Sequence, residues 1–580
     1  MAEGDGINKS AGAPTICYAA RHVINQALGQ WVGLAVCCCL NVCAARAYAE
    51  SGPLVRIDSG TLEGAHFGPA RDEMMFLGIP YAAAPIGDLR WRPPHPSVNW
   101  RGTRNAGSFG SSCPQADDPD MEALKQELQT VEPYFSTRTD EDCLYLNVWT
   151  TNLPDNHAGA KKLPVMFWIH GSSASGSGQL PPLLGPALAR KGVVLVSVNY
   201  RFGALGFMAH PALTAESPHH ASGNYGILDL IAALQWVHRN IAKFGGDPAN
   251  VTIFGFSAGG GLVCYLMTSP LAHDLFQRGI IESSGCADII SPELKTRASY
   301  WGGVGTAEEI GLRLMQDLGI QDGPDALAKL RSKSPKEIMN VTARDGAVTF
   351  EIESVIDGWV LPEQPAKAFE QGRQLRVPVL IGSNADEATT MIEETLNGPP
   401  TLANYKAFLR TQFFGYTDDV LKAYPATTDE EARAAFLTFG TDYEFGNSAH
   451  MIARDVVRGG QKAWFYQFTY TAAAQPFYAG LGAFHGIELK FLTGWFRPSR
   501  WGNPNAEDRK MMNLVTGYWT QFAKTGDPNG PGLPTWPVYD PNTDLVLEIG
   551  HNVKLRPTPH ADRFPLFERS LKARLDAIGH

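Results

Sequence analysis

No run of lysine and arginine occurs anywhere in the 580-residue chain, and the formal net charge is -10 at pH 7. Nucleic acid binding needs a basic patch or stripe, so that class is set aside. The mild acidity favours solubility and points to no particular partner. The chain has no low-complexity tract and no internal repeat, so neither a linker-like nor a solenoid architecture fits. Neither His-x-x-x-His nor paired Cys-x-x-Cys appears, and nothing calls for a metal or an organic cofactor. The apolar run Trp31 to Ala45, broken by Asn41, falls short of the ~20 residues of a membrane-spanning helix.

That run has the layout of an export signal. Arg21 and His22 precede it, and Ala47-Tyr48-Ala49 follows as a small-x-small cleavage pattern. The expected organisation is a signal segment over 1–49 and one domain over 50–580, secreted or periplasmic, with no membrane insertion once the signal is removed. An uncleaved anchor is the competing reading. Cys37-Cys38-Cys39 lies inside the apolar core and reads as small apolar residues. Val36 before it is larger than the residue that lipoprotein processing takes. Cleavage after Ala49 leaves Cys113, Cys143, Cys264 and Cys286, an even number that permits disulfides in an exported protein.

What is present from about Leu54 onward is globular text, 44% hydrophobic and 19% charged over the whole chain. Length alone suggests several domains, but a large α/β enzyme can decorate a single sheet with insertions. Leu163–Ile169, Gly192–Val198, Val251–Phe254 and Val377–Ile381 are continuous apolar runs of strand length. Between the second and third, Leu228, Ile231, Leu234, Val237 and Ile241 recur at helical spacing. Strand, helix, strand in that order predicts a parallel sheet with crossover helices. Tyr300 to Arg344 and Leu402 to Arg458 are rich in helix formers and read as helical insertions forming a cap. Asp117 to Asp142 reads as an acidic solvated loop with a short helix.

The sharpest motif is Gly255-Phe256-Ser257-Ala258-Gly259, which runs from an apolar strand straight into a helix. A serine at so tight a turn carries its hydroxyl above the sheet, and glycines two residues either side leave room for the sharp turn. The helix beneath supplies a positive dipole and the free N–H of Ala258 for a developing oxyanion. A glycine-rich loop is the bland alternative, and the flanking strand and helix argue against it. After Ile169 comes His170-Gly-Ser-Ser-Ala-Ser-Gly176, a small-residue loop whose Ser172 and Ser173 amides are the other expected oxyanion donors. His170 itself reads as structural.

With these residues in view, the chain resembles the type-B carboxylesterase/cholinesterase-like hydrolases, in their bacterial form. The resemblance runs through Gly78-Ile-Pro-Tyr-Ala82, Leu89-Arg-Trp-Arg-Pro-Pro94 and Glu141-Asp-Cys-Leu-Tyr-Leu-Asn-Val-Trp149. It continues in Asn199-Tyr-Arg-Phe-Gly-Ala-Leu-Gly-Phe207, Gly223-Asn-Tyr-Gly226, Asn240 to Pro248 and Phe522 to Asn529. So many ordered blocks are far more specific than the pentapeptide. They imply an α/β-hydrolase fold, with a large, mostly parallel sheet flanked by helices, and the chain order Ser, Glu, His. The resemblance selects Glu387 over its neighbour Asp386, which the residues alone leave equal, and His485 among fifteen histidines. It also implies a Cys113–Cys143 bridge and a supporting role for Ser284 near the acid. Cys264 reads as a buried core thiol, its pairing with Cys286 left open.

Three departures bear on substrate. Gly171-Ser172-Ser173 stands where the family has a run of glycines. Phe256 stands where it commonly has glutamate. The loop between Cys113 and Cys143 lacks the tryptophan that choline-binding members use for cation–π contact. The reading is a serine esterase for uncharged acyl or aryl esters, its partner a small-molecule ester. An amidase, a carbamate hydrolase or a specialised toxin or polymer-ester hydrolase could use the same triad. A non-catalytic binding relative is the reading from a different class. Oligomeric state is not legible.

Overall fold

Alternate residues of Leu163–Ile169 enter two different cores. Val165, Phe167 and Ile169 join one cluster, and Met166 and Trp168 join the other. A strand apolar on both sides is buried on both faces of its sheet, and each such side chain contributes ~1.5–3 kcal/mol by leaving water. The computed structural model describes residues 52–68, 72–115, 126, 128, 135–154, 161–171, 176–180, 184–300, 303–342, 354–396, 398–413, 415–472, 480–494 and 503–578. Gly52–His580 forms one unit by its contacts.

Among the described residues the main sheet has eleven strands. In chain order they are β1 (Ala65–His66), β2 (Met74–Pro80), β3 (Tyr145–Thr150), β4 (Leu163–Ile169), β5 (Val194–Val198) and β6 (Gly246–Phe256). Then come β7 (Arg278–Glu282), β8 (Val379–Asn384), β9 (Ala463–Phe468), β10 (Leu545–Ile549) and β11 (Lys554–Pro557). The spatial order is β11-β10-β9-β8-β7-β6-β4-β5-β3-β2-β1. The run from β10 to β5 is parallel, and the strands outside it are antiparallel. This is the large, mostly parallel sheet of the α/β-hydrolase fold.

The chain leaves β4 for β5 on one side, then returns to β6 on the other side of β4. That reversal is a topological switch point, where open α/β sheets bind ligands beyond the carboxyl ends of the strands. The crossover helix α1 (Tyr225–Asn240) is longer at its start than the periodicity predicted, and a 3-10 turn, Ile241–Phe244, completes it. A buried ion pair fastens α1 to the segment after β5. Asp229 accepts from Nε and Nη2 of Arg201 at 2.8 and 2.7 Å.

Three further helices position the site: α2 (Ala258–Thr268), α3 (Glu488–Thr493) and α4 (Ala506–Thr525). The insertions are helical as expected, including Ala307–Asp317, Ala326–Ser332 and Pro335–Thr342, then Leu402–Gln412, Asp429–Gly440 and Asn447–Arg458. The second group has its own aromatic core, with Tyr405, Phe413, Phe436, Phe439 and Phe567. Most of the acidic loop between Cys113 and Cys143 lies outside the described residues. So do the signal segment and the pair Ser172 and Ser173.

Candidate active site

Ser257 sits between β6 and α2 with φ 56° and ψ -130°, a region that a residue with a side chain rarely adopts. Strain of this kind persists only where the surroundings fix it. Here the fixing is by close approach. A Cβ on Gly259 would lie 2.2 Å from the Ile169 carbonyl oxygen, and one on Gly255 would lie 2.5 Å from the Gly259 backbone. The Ser257 N–H donates to the Glu282 carbonyl at 2.9 Å, and its own carbonyl accepts the first helical bond, from Gly261, at 3.0 Å. Ala258 opens α2, so its N–H belongs to the first-turn donors that have no partner within a helix.

The hydroxyl of Ser257 lies 2.9 Å from Nε2 of His485, and Nδ1 of His485 lies 2.6 Å from Oε2 of Glu387. The three residues come from different strand ends: Ser257 follows β6, Glu387 follows β8, and His485 lies beyond β9. Glu387 is wholly buried, and its second oxygen accepts from the Asn384 amide at 2.7 Å. Asp386, indistinguishable from Glu387 by residue type, does something else. Its Oδ2 accepts the Ala483 amide at 2.8 Å and so ties down the loop that carries His485.

Burial pushes the His485 pKa down, but the charge of Glu387 and its hydrogen bond push it up by more, and the net direction is up. The phenyl rings of Phe256 and Phe445 pack on the imidazole, with centroids 4.5 and 5.0 Å away. Phe445 is delivered by a π-helical turn, Thr441–Gly446, a geometry that recurs at functional sites.

His170 is buried and stacked on Tyr200, ring centroids 4.4 Å apart, and burial pushes its pKa down to about 4. A neutral, enclosed imidazole fits its structural reading. Gly171 itself lies against the turn at Ser257: a Cβ there would lie 2.4 Å from the Phe256 carbonyl oxygen and 3.1 Å from the Cβ of Ser257.

Of the two serines after β7, Ser283 reaches a carboxylate: its hydroxyl donates to Glu488 at 3.1 Å. Ser284 lies instead beside the glycines of α2, its Cβ 3.0 Å from where a Cβ on Gly260 would fall. Glu488 also accepts from Asn384 Nδ2 at 2.5 Å. Burial and the neighbouring Glu387 push its pKa up to about 7. Glu488 belongs to no motif in the sequence; its spacing, three residues after His485, is the one signal that marks it.

Cys113 and Cys143 are bridged, and so are Cys264 and Cys286. The second bridge corrects the reading of Cys264 as a core thiol. It ties α2 to the segment after β7.

The Carboxylesterase family matches residues 51–566. The chain is 35% identical over 514 residues to the Fumonisin B1 esterase of Sphingopyxis macrogoltabida, covering 86% of this chain and 87% of that protein. It is 31% identical over 563 residues to Liver carboxylesterase 1 of Oryctolagus cuniculus, covering 90% and 94%. Against the medium-chain Fatty acyl-CoA hydrolase precursor of Anas platyrhynchos it is 33% identical over 499 residues, covering 83% and 85%. With a serine, a histidine and a glutamate already linked at the strand ends, these matches place the chain in the carboxylesterase family of α/β-hydrolase enzymes.

Proposed function

We propose that the protein hydrolyses uncharged carboxylic esters through an acyl-enzyme on Ser257. The observation that carries this is the continuous hydrogen-bond chain Ser257–His485–Glu387. His485 takes the Ser257 proton as the oxygen attacks the ester carbonyl, then protonates the departing alcohol. Glu387 holds the imidazole in the tautomer with Nδ1–H and stabilises the imidazolium. The Ala258 amide, with those of Ser172 and Ser173, is assigned to the oxyanion, where one donor supplies ~2.7–4 kcal/mol. Water then repeats the sequence on the acyl-enzyme. The two phenyl rings on His485 favour apolar groups on the ester.

Similarity to a fumonisin esterase favours a second, narrower reading, in which the physiological substrate is an ester-bearing toxin. Export with cleavage after Ala49 is the proposed localisation. Two disulfides support it, and no described helix is long and apolar enough to cross a membrane. The test is hydrolysis of short and medium p-nitrophenyl esters and of fumonisin B1 by protein beginning at Glu50, beside a Ser257→Ala variant. Activity on p-nitrophenyl esters that vanishes in the variant supports the general reading. Activity confined to the toxin supports the narrower one.

A further inference from the structure

Behind the triad lies a second buried carboxyl group that the mechanism does not use. Glu282 ends β7 and is 0% exposed. It stands in register with Phe256 of β6 on one side and Gly382 of β8 on the other, and Gly382 is in register with Tyr466 of β9. Register partners on parallel strands share a face of the sheet. Gly382 offers no side chain on that face, and the Tyr466 ring lies over it: a Cβ there would fall 2.5 Å from two ring carbons. The ring thus fills the glycine's place in the row and lies on the Glu282 side of its own strand.

Trp519 of α4 closes the group. Its Nε1 donates to Glu282 Oε1 at 2.9 Å, and its ring meets that of Tyr466 edge-on at 5.4 Å. Two enclosed polar atoms have no hydrogen-bond partner among the described residues, Glu282 Oε2 and the Tyr466 hydroxyl. The described groups that act on Glu282 are Trp519, which donates to it, and Glu488 of α3, which repels its charge; no lysine or arginine is among them. Glu387 and Glu488 also act on Tyr466. The main chain of Glu282 meanwhile holds the nucleophile, since its carbonyl accepts the Ser257 amide.

We propose that Glu282 is a positioning residue kept as a neutral acid, which with Tyr466 and Trp519 anchors the strand end that fixes the Ser257 backbone. A buried carboxylate without a cation is costly, and taking up a proton removes that cost. Burial and Glu488 both raise its pKa well above the carboxylate range. Neutrality matters to the reaction. A negative charge below the turn would oppose the oxyanion formed on attack, whereas an uncharged anchor holds position without that penalty. The inference rests on Ser257 being the nucleophile.

The test joins infrared spectroscopy to kinetics on the intact enzyme. The difference spectrum between wild type and Glu282→Gln at neutral pH should show a protonated-carboxyl C=O band in the wild type that the variant lacks. Glu282→Ala should lower kcat on the order of tenfold with little change in KM. Glu282→Gln, which keeps the Trp519 bond, should restore it and leave the acid limb of kcat/KM at the wild-type pH. An ionised-carboxylate band in the difference spectrum would overturn the proposal. So would a Glu282→Gln enzyme as slow as Glu282→Ala, because the amide keeps the Trp519 bond and differs from the neutral acid in no charge. The infrared result needs no turnover, so failure of the esterase reading registers separately, in the ester assay.

Discussion

The ring of Phe256, immediately before Ser257, packs on the imidazole of His485 with centroids 4.5 Å apart. The resembled family commonly has a glutamate at that position. Here the residue beside Ser257 brings no charge, and Glu387 supplies the carboxylate that hydrogen-bonds the imidazole.

Phe256→Glu should therefore raise the His485 pKa, because a nearby anion favours the imidazolium. The acid limb of kcat/KM should move to higher pH. The variant should also gain on a cationic ester relative to its neutral isostere. pH–rate profiles on the two esters check both effects, and an unmoved limb would count against contact between Phe256 and a His485 that serves as base.

Glu387→Gln should move the limb the other way. The native pKa is raised, so inactive imidazolium persists above the ~6.5 of an unperturbed histidine, and kcat/KM falls as pH drops through it. Removing the carboxylate lowers that pKa and shifts the limb towards acid. It also removes the tautomer control, which costs roughly 10⁴ in kcat where the acid of such a triad is replaced by its amide. Asp386→Asn should cost far less, because that side chain accepts the Ala483 amide rather than a histidine proton.

Cys264→Ala with Cys286→Ala opens a bridge of sequence separation 22. Closing a loop of that length stabilises by about 3 kcal/mol in the chain-entropy account. The denaturation midpoint of the double variant should fall accordingly, and activity below the transition should persist if the bridge braces rather than forms the site.

Gly259→Ala should destabilise by about 1–3 kcal/mol through forced displacement of the main chain. The added carbon would collide with the Ile169 carbonyl at the end of β4. Urea unfolding checks it, through a lower midpoint at an unchanged slope.

Strands with two buried faces were legible in the sequence because both faces are apolar. Leu163–Ile169 has the predicted bounds, and the elbow declared itself by strand, glycines and helix in succession. The apolar run Val251–Phe254 is shorter than β6, which spans Gly246–Phe256. The first residues of the strand, Gly246 to Asn250, are polar or small and carry no apolar signal. Glu282 and Glu488 stayed hidden for a different reason. Their partners lie 237 and 205 residues away, on Trp519 and Ser283, and a buried glutamate is written with the same letter as a solvated one. Ser283 and Ser284 are likewise adjacent hydroxyls that only the bend after β7 tells apart.

Covalent labelling tests the central claim most directly. Wild-type protein treated with a fluorophosphonate and digested for mass spectrometry should carry one adduct, on the peptide containing Ser257. The adduct should be absent from Ser257→Ala and form far more slowly in His485→Ala. Labelling of another serine, or none in folded wild-type enzyme, would contradict the assignment of Ser257 as the nucleophile.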